Sequence, residues 1–132
     1  MINLKIYTKI ASSLLVMLSV AFTSCHKEPI LAPNTARVCF DQQVMPVIQS
    51  HCAMSACHSA GGDASPDLSS YESIISTVKA GDPNKSKLYK VITAKGLIAR
   101  VMPPKQSPQL SVEQINLITI WILQGADHTT CP

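Results

Sequence analysis

A chain of 132 residues, 46% of them hydrophobic, has room for one domain once any targeting segment is removed. Its net charge of +3 is spread without any block of like charges, which excludes the polybasic signature of a nucleic-acid binder. Aromatics are few (one Trp, three Tyr, two Phe), so the core either relies on Leu and Ile or is completed by a bound apolar group.

Residues 1–24 read as a signal peptide. Lys5 and Lys9 supply a positive start, and Ile10 to Phe22 form an apolar run broken by Ser12, Ser13 and Ser19. That run is too short and too rich in serine to span a bilayer. It ends in Phe22-Thr23-Ser24-Cys25, which resembles a bacterial lipobox with Phe22 where Leu is usual. Cys25 then becomes the acylated first residue of the mature protein. The plainer alternative is a secretory signal that happens to contain a cysteine, and both routes lead to an oxidising compartment. No Asp follows Cys25 to favour retention at an inner membrane, which points to an outer-membrane anchor with the domain in the periplasm or at the cell surface. Diacyl-type anchoring holds a protein on a membrane without a transmembrane helix. Residues 25–37 carry two prolines and little periodicity, as a flexible tether does, and residues 38–132 form the domain.

With Cys25 set aside, four cysteines remain. Cys52 and Cys57 lie close together, while Cys39 and Cys131 sit near the two ends of the domain. In an exported protein such a terminal pair is expected to form a disulfide, the alternative being free buried thiols.

Apolar Val44, Val47 and Ile48 are helically spaced, with Pro46 either starting or kinking that helix. Residues 61–66 are loop-forming. Ile74, Ile75 and Val78 predict a helix over 71–79 that stops at Gly81, followed by a turn at Asp82-Pro83-Asn84 and a short helix over 86–92. Residues 101–109 contain Pro103, Pro104 and Pro108 and must be extended or turning. Ser111 and Gln114 form a capping box ahead of an apolar stripe of Ile115, Leu117, Ile118, Trp121 and Ile122 that Gly125 ends. No segment sustains period-2 alternation. An all-α domain of short helices and long loops is expected.

The chemistry concentrates in Cys52-Ala53-Met54-Ser55-Ala56-Cys57-His58, a C-x4-C-H arrangement close to the C-x-x-C-H signature of covalent haem attachment. Two thiols add to the haem vinyl groups and the adjacent histidine becomes the proximal iron ligand; two extra residues between the cysteines can bulge outward. Downstream, Met102 precedes Pro103-Pro104, whose fixed φ gives the rigid segment that a distal methionine needs. Met54 lies inside the attachment loop, Met45 reads as core, and His51 as a solvated surface residue. His128 is the substitute distal ligand should Met102 fail. Trp121 packs either near a haem edge or in the ordinary core; Arg100 and Tyr71 could meet haem propionates, with surface exposure the default reading for Arg100.

The order C-x4-C-H, Gly81-Asp82-Pro83, Ser86-Lys87-Leu88-Tyr89, Met102-Pro103-Pro104, Leu110-Ser111 with Gln114-Ile115, and Trp121-Ile122-Leu123-Gln124-Gly125-Ala126 resembles the planctomycete-type cytochrome c domains, relatives of class I cytochromes c. The resemblance runs from about Cys39 to Cys131. It implies a cytochrome c-like fold wrapped around one covalent haem c, with thioether bonds from Cys52 and Cys57, proximal ligation by His58 and distal ligation by Met102. The longer Cys–Cys spacing is the departure from the common motif. The function implied is that of a membrane-anchored one-electron carrier between redox partner proteins, not an enzyme and not a nucleic-acid binder. The competing possibilities are a structural zinc site built from Cys52, Cys57, His58 and His51, or an exported binding module in which Cys52 and Cys57 form a disulfide. The zinc donors crowd into eight residues, whereas structural zinc sites draw pairs from separated knuckles.

Overall fold

The Ser111 side chain accepts a hydrogen bond from the Gln114 amide, and the Gln114 side-chain oxygen in turn accepts one from the Ser111 amide. This reciprocal cap opens the longest helix among the described residues of the computed structural model, which are 36–95 and 100–131. The expected signal peptide, the expected acylation at Cys25 and the expected tether as far as residue 35 lie outside the described residues. Among the described residues there are helices and turns but no strand, as the all-α expectation required. No helix among them is long and apolar enough to cross a membrane.

A π-helical turn, Phe40–Val44, leads directly into α1, Met45–His51, with Pro46 in its first turn. Proline is tolerated there because the first helical amides have no partner inside the helix. Next come α2, Tyr71–Ile75, a 3-10 turn at Pro83–Lys85, α3, Lys87–Ile92, and the terminal α4, Val112–Leu123. The helix predicted over 71–79 is shorter than its apolar spacing suggested. The Ser76 and Thr77 hydroxyls donate to the carbonyls of Ser73 and Ile74, and the backbone tightens into three-residue turns at Thr77 and Val78. Hydroxyls that compete for backbone carbonyls end helices in this way. Gly81, with φ +75°, is therefore part of the following turn, where its amide donates to the Ile122 carbonyl of α4.

The core is aliphatic with an aromatic end. Val44, Ile48, Ile74, Leu88, Ile118 and Ile122 are buried, together with Phe40 and Trp121. The Phe40 ring lies 5.3 Å from Trp121 and meets Tyr71 edge-on at 5.1 Å. Ser86 is the fully buried polar residue; its hydroxyl accepts from the Lys79 amide and donates to the Asp82 carbonyl, which ties the turn between α2 and α3 to the start of α3.

The two ends of the domain are fastened together. The sulfurs of Cys39 and Cys131 are paired, with Cα atoms 5.7 Å apart, a separation that a disulfide spans. Around them the Phe40 amide donates to Thr129 Oγ1, the Asp41 amide to the Thr129 carbonyl, and the Cys131 amide to Gln42 Oε1. Gln124 holds the other edge, accepting from the Val38 amide and donating to the Ala36 carbonyl. The exposed Arg37–Asp127 ion pair adds little beside these bonds.

Candidate functional site

Cys52 stands at the C-terminal end of α1, where its amide still donates to the Ile48 carbonyl. From there the chain makes a compact loop. The Cys57 amide donates to Met54, and the His58 amide reaches back to the Cys52 carbonyl at 3.1 Å. The four residues between the cysteines thus bulge while the two ends of the loop are drawn together. Gly62 closes the next turn: a side chain there would run into the Cys57 carbonyl.

His58 is fixed by a 2.6 Å contact from Nδ1 to the Pro66 carbonyl. A carbonyl only accepts, so Nδ1 carries the proton and Nε2 holds the free lone pair. That is the tautomer that a metal-ligating histidine needs, and a carbonyl partner on the other nitrogen sets it. Met102 is placed from the far end of the chain, with its amide donating to the Val91 carbonyl of α3 at 2.9 Å.

These pieces meet around a cavity of about 560 Å³, within the range of roughly 300–1,000 Å³ that cofactor sites occupy. Cys52, Cys57, His58 and Met102 all lie on its wall. Leu68, Leu88, Val91, Ile92 and Pro103 supply much of the apolar remainder. Among the described residues, Lys87 and Arg100 are the lysine and arginine on the wall, and no carboxylate lines it. This set of groups could hold a flat, largely apolar macrocycle bearing two carboxylates, two vinyl groups and an iron centre. Apolar side chains would cover its faces, two cations would meet its acids, two thiols would take its vinyls, and an imidazole and a thioether would ligate its metal.

The thiol of Cys52 is pushed up to about 11, first by burial and then by the neighbouring Cys57. Cys52 and Cys57 are unpaired in this structure. Among the described residues no three His, Cys, Asp or Glu side chains converge closely enough to hold a metal ion by themselves.

Comparison with protein-family models, curated proteins and solved structures finds no match to this chain.

Several assignments made from the sequence change with the fold. His128 is not on the cavity wall: its Nε2 pairs with Asp41 at 2.9 Å and its ring stacks on Tyr71, which removes it as a substitute ligand. Tyr71 is also off the wall, donating to the Ala126 carbonyl, while Arg100 is exposed, as its default reading had it, at a position that also borders the cavity. Trp121 is core, with its indole N–H donating to the Asp127 carbonyl. His51, expected in solvent, is half-buried on the wall, with Nδ1 3.2 Å from the Val47 carbonyl one helical turn back. Pro66, Gly62 and Lys87 were missed. Gly61-Gly62 was legible as a turn, but the roles of Pro66 and Lys87 depend on chain reversals that leave no local signal.

Proposed function

We propose that the chain is a mono-haem c-type cytochrome with a cytochrome c-like domain, carrying single electrons between redox proteins. In this reading it is exported and lipid-anchored through Cys25. The observation that carries it is the convergence of Cys52, Cys57, His58 and Met102 on one apolar cavity, with the free imidazole nitrogen of His58 selected by Pro66.

The bound haem would supply a one-electron iron couple. The chain's own residues do the rest. Cys52 and Cys57 would hold the group through their sulfurs, so that it is retained in either oxidation state. His58 donates from Nδ1 to Pro66, which keeps its other nitrogen basic and oriented. Met102 supplies a thioether, a soft ligand that favours the reduced state and raises the potential. His58 and Met102 together would leave a bound iron no free position for oxygen or peroxide, which suits a carrier and not an oxidase. The apolar wall excludes water and limits the reorganisation that accompanies each electron.

The zinc alternative needs four convergent donors, and the described residues gather no such group. It also leaves unexplained why Met102 shares a cavity with the two thiols.

The deciding experiment is expression with a cytochrome c maturation system, followed by extraction in acidified organic solvent and visible spectroscopy. Haem is expected to stay with the polypeptide. The ferric protein should show the weak far-red band of sulfur–iron ligation, and Met102→Ala should abolish that band while leaving the haem attached. A colourless, haem-free chain from that system would sink the proposal.

A further inference from the structure

The segment that presents Met102 is poor in backbone donors. Pro103, Pro104 and Pro108 have no N–H, and the backbone hydrogen bond inside the loop is Ser107 amide to Pro104 carbonyl. Beyond that one bond, no backbone amide of the loop reaches the carbonyls of Pro103 and Ser107. One side chain fills that role. Nε2 of Gln109 lies 2.8 Å from the Pro104 carbonyl, 2.8 Å from the Ser107 carbonyl and 3.3 Å from the Pro103 carbonyl. A carboxamide nitrogen has two protons, so two of these bonds are full and the third is shared.

We propose that Gln109 is a positioning residue for Met102, locking the proline loop from within and so setting how readily the methionine leaves the iron. This deepens the electron-carrier reading and rests on it. The loop is held at two points: the Met102 amide on the Val91 carbonyl of α3, and the Gln109 amide across the carbonyls of residues 103, 104 and 107. The first fixes where the loop begins. The second fixes its curvature, because residues two, five and six positions before Gln109 are bound by one planar group. Without it, the prolines still restrict φ, and Pro104 also confines ψ at Pro103, but ψ at Pro104 and at the residues after it is left to vary and to shift the thioether on the wall.

The test uses the haem-loaded full chain and Gln109→Met, which keeps the side chain's length and removes both donors. Imidazole added to the ferric protein competes with Met102 for the iron and is followed by loss of the far-red band. Losing one or two neutral hydrogen bonds predicts roughly tenfold tighter apparent imidazole binding in Gln109→Met. The reduction potential should fall as the softer ligand is held less firmly. Gln109→Lys, which restores a donor at similar reach, should recover part of the difference. A merely structural role would instead lower the melting temperature or the haem content without changing imidazole competition. Equal imidazole affinity and equal potential in the wild-type protein and Gln109→Met would overturn the role of Gln109 and leave the carrier reading intact. A wild-type chain that takes up no haem would overturn both.

Discussion

Cys52 is the side chain whose chemistry the fold changes most. Its thiol is shifted from an ordinary value of 9.0 to about 11 by burial and by Cys57. At pH 8 roughly one Cys52 side chain in a thousand is a thiolate in the folded, haem-free chain, and the thiolate is the nucleophile. Iodoacetamide should accordingly modify the half-buried Cys57 first and Cys52 slowly, as peptide mapping of partly alkylated protein would show. The sign of the stability effect follows. A group that holds its proton more tightly when folded costs nothing below pH 9, destabilises as pH rises from about 9 towards about 11, and changes nothing further beyond that. Denaturant midpoints of the haem-free chain should fall over that window, and the fall should be absent in Cys52→Ala; a parallel fall in both proteins would place its origin elsewhere. Much at this scale was legible in advance. The residue types at 52, 57, 58 and 102 announce their chemistry by identity and order. Pro66 does not, because what matters is its carbonyl, and any residue brought to that place by the turn would present one.

Among the elements, α4 depends on its first turn. Ser111 and Gln114 satisfy two amides that would otherwise have no acceptor, so Ser111→Ala should cost about 1 kcal/mol. For a domain of this size that corresponds to a melting temperature lower by about 4–8 °C. Calorimetry of the haem-free chain would detect it, and an unchanged melting temperature would mean that burial of Ile118, Trp121 and Ile122 fixes the helix without its cap. The same helix was the most legible in the sequence because cap, apolar stripe and terminal glycine all agree on its limits. The helix at Tyr71 was read too long for the opposite reason. Its apolar spacing continues to Val78, but Ser76 and Thr77 take the carbonyls that the next turn would need. Hydrophobic periodicity reports which face is buried and is silent about such local competition.

At the scale of the whole molecule, residues 36–42 are fastened to residues 124–131 by a disulfide and several hydrogen bonds. A link across 92 positions removes much of the unfolded chain's freedom, and Cys39→Ala with Cys131→Ala should cost about 2–4 kcal/mol. Urea titration of oxidised and doubly substituted protein measures it directly. A midpoint that did not move would assign the closure to Gln124, Thr129 and Gln42 alone. The cysteine pair could be read by counting, but its polar partners could not, since each is set by a meeting of segments nearly ninety positions apart. The cavity shows the same division: its reactive residues were visible in sequence, while the joining of residues 51–77 to 87–107 that builds its wall was not.

The position of that fastening also fixes a load path. Tension applied to the chain ahead of Ala36 meets the Gln124 and Thr129 hydrogen bonds and then the Cys39–Cys131 link within four residues. A covalent bond to the last segment of the domain closes the mechanical circuit there, before the force reaches α1 or Cys52. A body tugged by its leash would strain at the collar, and the geometry around His58 and Met102 would stay slack.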